Sequence, residues 1–364
     1  MMENSKISSY QLFTMIVTFV IGTTVIFPLA SDAKQAAWIS IILGMFCGLP
    51  LLIIYGYLNR QYPELLFTEY CKKILGKYIG TIIGIFYILF FLYGASRDLR
   101  DTMELTPLFL EGTPISAIGI VFILPILYGL YLGIEVICRT VETFFVFLVI
   151  TGVFMIIFLL VSDIAKVENL LPVLEPGWET IFRTTINEAW MAPFGEIICF
   201  TMIFAYLKKP KSQIKVGIAG VISGGLALAF IHLLTISVLG EYTRNQSIAP
   251  LLKMVQKINI ADFINRVDPL FLIWLVANDF FKVLIFMYAA VIGGATIFKL
   301  SKNTLIIPFG LITFFTSIFF AENYTSHMAQ SDIVLKYVYP IFSVYIPLLL
   351  CIVCFVRQKL NKIG

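Results

Sequence analysis

Runs of about twenty apolar residues recur along this sequence, separated by short segments that carry most of its charge. A helix crossing a bilayer needs roughly twenty consecutive, mostly apolar residues. Reading from charge to charge gives eight clean candidates: 7–30, 35–58, 78–96, 114–134, 143–162, 216–239, 303–321 and 337–356. Two more, about 184–206 and 269–298, are apolar but interrupted by charge. The expectation is an all-α integral membrane protein of ten transmembrane helices in one transmembrane domain, 1–364. Periodicity cannot refine this, because a helix surrounded by lipid and protein is apolar all round. Composition agrees: 59% of residues are hydrophobic and 13% charged, where a soluble domain has about 45–50% and 25%. The net charge of +4 is small and its basic residues sit in short clusters between spans, a topology signal and not a nucleic-acid footprint. The opening MMENSKISS lacks the basic region and cleavage site of a removable signal.

Orientation follows from the basic residues of the short loops, which favour the cytoplasmic side. With the N-terminus inside, the inner segments hold Lys6; Arg60, Lys72, Lys73 and Lys77; Arg139; Lys208, Lys209, Lys211 and Lys215; Lys299 and Lys302; and Arg357, Lys359 and Lys362. The outer segments hold fewer, four of them in the long loop 240–268. Both termini are therefore predicted to be cytoplasmic.

The two halves of the chain match once the membrane side is inverted. Residues 62–76 carry Pro63 and an apolar stripe of Leu65, Leu66, Tyr70 and Ile74, which predicts an amphipathic helix on the inner face. Residues 247–266 carry a similar stripe, Ile248, Leu251, Leu252, Val255 and Ile258, on the outer face. The first span of each half is broken: GTTVIFP (22–28) in the first, APFGE (192–196) in the sixth. Proline removes a backbone donor and glycine tolerates the freed backbone. Irregular backbone survives in a bilayer only where protein covers it or it lines a cavity. Paired breaks in corresponding helices of inverted halves mark a transporter's binding site. The pattern predicts a five-plus-five inverted repeat, about 7–162 and about 184–356, with the ligand site near the midplane.

GTTVIFP, APFGE and the stretch NRVDP…W…FFK (265–282) together resemble the spore germination permease family. These are the B subunits of spore germinant receptors, a branch of the amino acid–polyamine–organocation superfamily, and the likeness covers essentially the whole chain. The resemblance implies a LeuT/APC-like fold and a place in the spore inner membrane, beside an A subunit and a lipoprotein C subunit. It further implies a receptor that senses a small nutrient germinant, often an amino acid, and triggers ion release and germination. A proton-coupled amino-acid permease is the alternative, because nothing in composition or spacing separates a sensor from a carrier. An intramembrane hydrolase would need an HExxH, a GxSxG or facing aspartates, and the sequence supplies none, so no enzyme is expected.

For an amino-acid ligand, freed N–H groups at Gly22, Thr23 and Thr24 would hold a carboxylate. Freed carbonyls at Ala192 and Pro193, next to Gly195, would accept from the ammonium, and Phe194 would wall the side-chain pocket. Glu196 is ionisable within an apolar run, and such residues are costly and rarely idle. Asp279 and Lys282 lie three apart on one helical face and are candidates for gating or ion coupling. By analogy with related folds, Lys282 acts as a built-in cation joining spans 1 and 8, with Glu196 or Asp279 as its counter-charge. Arg97, Asp98, Arg100, Asp101 and Glu104 read as a local salt-bridge cluster at the outer mouth, with a contact to a partner's extracellular domain as the alternative; Glu188 reads as exposed in the vestibule, and loop 163–183 as its cover or as a contact for a partner subunit. Cys351 and Cys354 form a CxxC, but on an apolar helix without basic neighbours or histidines, and His232 and His327 have no ligand spacing, so neither metal nor cofactor is expected.

Overall fold

The computed structural model describes residues 5–108, 110, 112–258 and 268–361, and among these the chain is helical almost throughout. The helices are α1 (Ser9–Ile21), α2 (Ala37–Gln61), α3 (Phe67–Leu75), α4 (Lys77–Leu105), α5 (Ile115–Leu132), α6 (Ile134–Val161) and α7 (Gly177–Thr184). They continue with α8 (Gln213–Leu239), α9 (Glu241–Asn245), α10 (Pro250–Val255), α11 (Asp268–Phe298), α12 (Lys302–Phe319), α13 (Tyr324–Ile333) and α14 (Ile346–Asn361). Eight helical stretches among the described residues are long and apolar enough to cross a membrane, and two shorter apolar ones, Ser9–Val25 and Met191–Met202, stand at the two breaks. The protein is an integral membrane protein.

Local chemistry sets the ends of the elements. Helix α1 opens on a capping box: Ser8 Oγ accepts from the Gln11 amide at 3.0 Å, and Gln11 Oε1 accepts from the Ser8 amide at 2.9 Å. The same Gln11 donates to Glu142 on α6 at 3.0 Å, which fixes α1 against that helix. Just before α1, residue 7 pairs with residue 207: the Ile7 amide donates to Tyr206 O at 2.9 Å and the Lys208 amide to Ile7 O at 3.0 Å. The start of the first span is thus tied to the end of the sixth.

Several boundaries differ from those read in the sequence, each because charge inside a helix finds a partner. Helix α4 runs on to Leu105 instead of stopping at 96; its 29 residues extend about 43 Å. Its charged C-terminal turns are buried, with Arg100 bonded to Glu104 at 2.6 Å and Asp101 to His327 at 2.6 Å. Helix α6 starts at Ile134, nine residues before the expected 143, since Glu135 and Arg139 pair at 2.6 Å one turn apart. The last apolar stretch starts at Tyr324. The surface helix expected over 62–76 is α3, Phe67–Leu75: Glu69 accepts from the Leu66 amide at 3.0 Å and sets the first turn there, leaving Pro63 in the preceding turn. Its apolar face, including Phe67, Tyr70 and Ile74, is buried, and Thr68 bonds Thr296 of α11 at 3.0 Å. Within 247–266 the helix is α10, and residues 259–267, Arg266 among them, lie outside the described residues.

Helix α1 packs against α8, α6 and α11, and α11 lies along α4. These contacts bring the first break against α4 and α11. The segment that holds the second break packs closely on α2 because α2 offers it a glycine: a Cβ on Gly44 would stand 2.4 Å from the Ala189 carbonyl oxygen.

Candidate functional site

Both breaks are real departures from helix. Helix α1 ends at Gly22, whose φ of 27° and ψ of −135° put it outside any helical region, and a single 3-10 turn, Thr23–Val25, follows. Ala30, beyond Pro28, has a left-handed φ of 58°. In the sixth span, π-helical turns at Thr185–Ala189 and Met191–Gly195 give way to a 3-10 stretch, Glu196–Met202, and Ala192 is extended at φ −102°, ψ 114°. Glu196 is therefore the first residue of a new helical segment, placed at the break.

Lys282 joins the two breaks. Its ammonium lies 2.8 Å from Glu196 Oε2 and 3.3 Å from Asp98 Oδ1, and donates to Thr23 Oγ1 at 3.0 Å. Thr23 in turn donates to Asp98 Oδ1 at 2.8 Å. The stem of Lys282 fills the space over Gly22, where a Cβ would stand 2.5 Å from Lys282 Cδ. The Phe19 ring lies 5.6 Å from the ammonium. One side chain from α11 thus touches the first break, the sixth-span break and α4 at once. All three charged groups are buried: Lys282 is 2% exposed, Asp98 and Glu196 5% each.

The cluster forms the floor of a cavity of about 540 Å³. Thr23, Thr24, Ala192, Asp98, Glu196 and Lys282 line it at the bottom, and Asp32, Glu188, Thr325 and Asp332 line it toward the end read as outer. Glu188 also accepts from the Ala30 amide at 3.0 Å and so steadies the linker beyond the first break. On the far side of that linker, Arg244 of α9 is fully buried, donating to Leu29 O at 2.6 Å and meeting His232 Nδ1 at 3.0 Å. Burial pushes its guanidinium down to about 10, against the pull of Glu188 and Glu241, so it stays charged at neutral pH.

Of the residues singled out in the sequence, Gly22, Thr23, Glu196 and Lys282 stand together, and Thr24 and Ala192 line the cavity beside them. Three others stand elsewhere. Pro193 and Gly195 are buried but line no part of the cavity, and Phe194 packs against α2, where a Cβ on Gly48 would meet Phe194 Cβ at 2.6 Å. At the first break the Gly22 amide donates to Thr18 O at 2.9 Å, and Lys282 packs over Gly22 and bonds the Thr23 hydroxyl. Asp279 is fully buried and makes no ion pair with Lys282 among the described residues; the counter-charges are Glu196 and Asp98. Asp98 is the residue sequence reading missed by placing it at the mouth. The signal was present: between Gly94 and Pro107 nothing stops a helix, so Asp98 falls inside the span.

An all-helical bundle whose broken first and sixth segments meet beside a polar cavity defines a membrane protein of the transporter fold. The solved structure of MhsT in complex with L-phenylalanine aligns with a TM-score of 0.69 over 94% of this chain and 88% of that one. Mhp1, a nucleobase-cation-symport-1 family transporter, closed with bromovinylhydantoin bound, aligns with 0.66 over 91% and 74%. At 12% identity each, the likeness is one of fold. The chain belongs to the spore germination protein family, whose sequence pattern matches residues 6–325. It is 33% identical to spore germination protein KB of Bacillus subtilis (strain 168), over 98% of this chain and 97% of that protein. It is 30% identical to spore germination protein YndE of the same strain, over 85% of each.

Proposed function

We propose that this chain is the membrane-embedded B subunit of a spore germinant receptor, and that the cavity above Lys282 takes a small nutrient, a neutral amino acid such as alanine or valine. The observation that carries the reading is the reach of Lys282, which ties both helix breaks to α4 directly beneath the cavity. A lysine well inside an apolar span costs about 2.5–3.5 kcal/mol on insertion scales, so packing alone does not account for it. A ligand that contacts the breaks shifts their position relative to α4 and α11, and the buried ammonium converts that shift into a change of charge pairing. In this reading the two shorter apolar helices count as spans, giving ten crossings in two inverted halves with both termini cytoplasmic. The chain sits in the spore inner membrane beside an A subunit and a lipoprotein C subunit, and the change of pairing triggers ion release and germination.

The fold shared with transporters, MhsT in complex with L-phenylalanine among them, favours one second reading, a proton-coupled amino-acid permease. Binding and flux of labelled L-alanine and L-valine in proteoliposomes, with and without the partner subunits, separate the two. Binding without flux is the expected result. Concentrative uptake by this chain alone would establish the permease, and no binding under any condition would refute the nutrient site.

A further inference from the structure

The floor of the cavity is short of one positive charge. Asp98 and Glu196 are two carboxylates, and Lys282 is the one cation within ion-pair distance of either among the described residues. Its ammonium donates to Thr23 Oγ1 and lies within ion-pair distance of Glu196 Oε2 and Asp98 Oδ1, but Glu196 Oε2 has no hydrogen-bond partner among the described residues. Asp98 Oδ1 also receives the Thr23 hydroxyl, while Asp98 Oδ2 has no hydrogen-bond partner among the described residues. The Asp98 side chain is 7% exposed, and it lines the cavity. A buried carboxylate oxygen without a donor is costly, and a buried cluster with a net charge invites a counter-ion.

Most of the other charged groups on the cavity wall are acidic. Asp32, Glu188 and Asp332 line it with no basic side chain within ion-pair distance among the described residues, and Asp101 is taken by His327. Arg97 is the other cation on the wall, and its guanidinium is committed to Tyr93 OH, Ser331 Oγ and the His327 carbonyl. A cleft in which one sign of charge predominates concentrates counter-ions of the other sign.

We propose that the cavity receives its ligand by a primary ammonium group, which docks on the Asp98 carboxylate and completes the Asp98–Glu196–Lys282 cluster. This rests on the ligand-binding reading above and gives that ligand a chemical class. The ammonium supplies both missing elements, a unit positive charge and N–H donors for a short charge-assisted bond. A zwitterionic amino acid enters with its ammonium toward the floor. Ligands that lack a free amine leave the Asp98 carboxylate without that partner and bind weakly.

The test uses the full-length chain in detergent micelles, with methylammonium as the smallest probe of the class. Thermal melting is followed against methylammonium, tetramethylammonium and potassium chlorides at equal ionic strength. Methylammonium is expected to raise the melting temperature, while tetramethylammonium, which has no N–H, and potassium do not. Asp98→Asn should weaken the apparent methylammonium affinity by about tenfold or more, as loss of a charge-assisted partner does. If Asp98→Asn does not fold, Glu196→Gln removes the same charge deficit and should also abolish the shift. An equal shift with potassium overturns the ammonium assignment, as does a shift that survives both substitutions or no shift at all. Failure of nutrient binding or of germination would sink the receptor reading and leave the methylammonium shift intact.

Discussion

Lys282 holds its place through three partners on three different segments, so its substitutions have separable effects. Lys282→Met keeps the stem over Gly22 but leaves Asp98 and Glu196 as buried like charges. Removing one member of a buried ion pair costs about 3–5 kcal/mol, so a large fall in the melting temperature of the purified chain is expected. Adding Asp279→Asn should not restore it, because Asp279 is not the partner of Lys282, whereas adding Glu196→Gln should. Rescue by Asp279→Asn and not by Glu196→Gln would place the ion pair elsewhere. Gly22→Ala probes the same contact from the backbone side. Gly22 has a φ of 27°, and its missing Cβ is replaced by Lys282 Cδ, so alanine should cost about 1–3 kcal/mol in strain. Lys282 and Glu196 were legible from the sequence because ionisable residues in apolar runs are rare and costly. The part played by Asp98 was not, since burial of a helix end depends on what packs against it, here α12 and α13.

At the scale of elements, charged residues decided which boundaries could be read. Seven of the eight clean apolar runs correspond to long apolar helices; the eighth, 7–30, is broken at Gly22, and the charge-interrupted 269–298 is a long helix, α11. The breaks at Gly22 and Pro193 announced themselves by residue type. The starts of α6 and α13 and the end of α4 did not, because pairs such as Glu135–Arg139 and Asp101–His327 let a helix continue through charge. The linker between Pro28 and α2 is the element most exposed to perturbation. Arg244 holds it at Leu29 and Glu188 at Ala30, and Glu175 of the 163–183 loop holds Gln35 at 2.7 Å and Lys34 at 3.2 Å. Arg244→Met should destabilise the chain by about 2–3 kcal/mol, the worth of a buried charged hydrogen bond. It should also speed modification of a cysteine placed at Ala30 by a water-soluble thiol reagent; an unchanged rate would free Arg244 of that role. The Glu175 contact carries a pH dependence. The Gln35 amide and then the Lys34 ammonium hold its carboxyl below the usual glutamate range. Their contribution is complete above the unfolded value and fades as pH falls through the folded one. Proteolysis within 163–176 should therefore accelerate below about pH 4, and Glu175→Gln should remove that acceleration. A cleavage rate independent of pH in the wild type would contradict it.

For the whole molecule, the sidedness of the cavity decides which compartment the nutrient comes from. In the proposed orientation the basic clusters around Arg60, Lys72, Lys208 and Lys211 face the cytoplasm and the cavity's open end faces away from it. A cysteine introduced at Asn323 should react with a membrane-impermeant reagent added outside, and one at Lys209 should not; the reverse pattern would turn the molecule over. The proposed inverted halves rest on breaks and surface stripes, whereas the buried charge cluster needed the fold to bring the residues after α1, α4, α11 and the Glu196 segment together. The central claim is that this cluster passes the nutrient signal from the cavity to the rest of the bundle. The double variant Lys282→Met with Glu196→Gln tests it most directly, because one buried carboxylate then carries the same net charge as the wild-type cluster while the link across the breaks is gone. Spores bearing this variant should contain the chain at wild-type abundance in the inner membrane and fail to respond to nutrient. A normal nutrient response at that abundance would contradict the account.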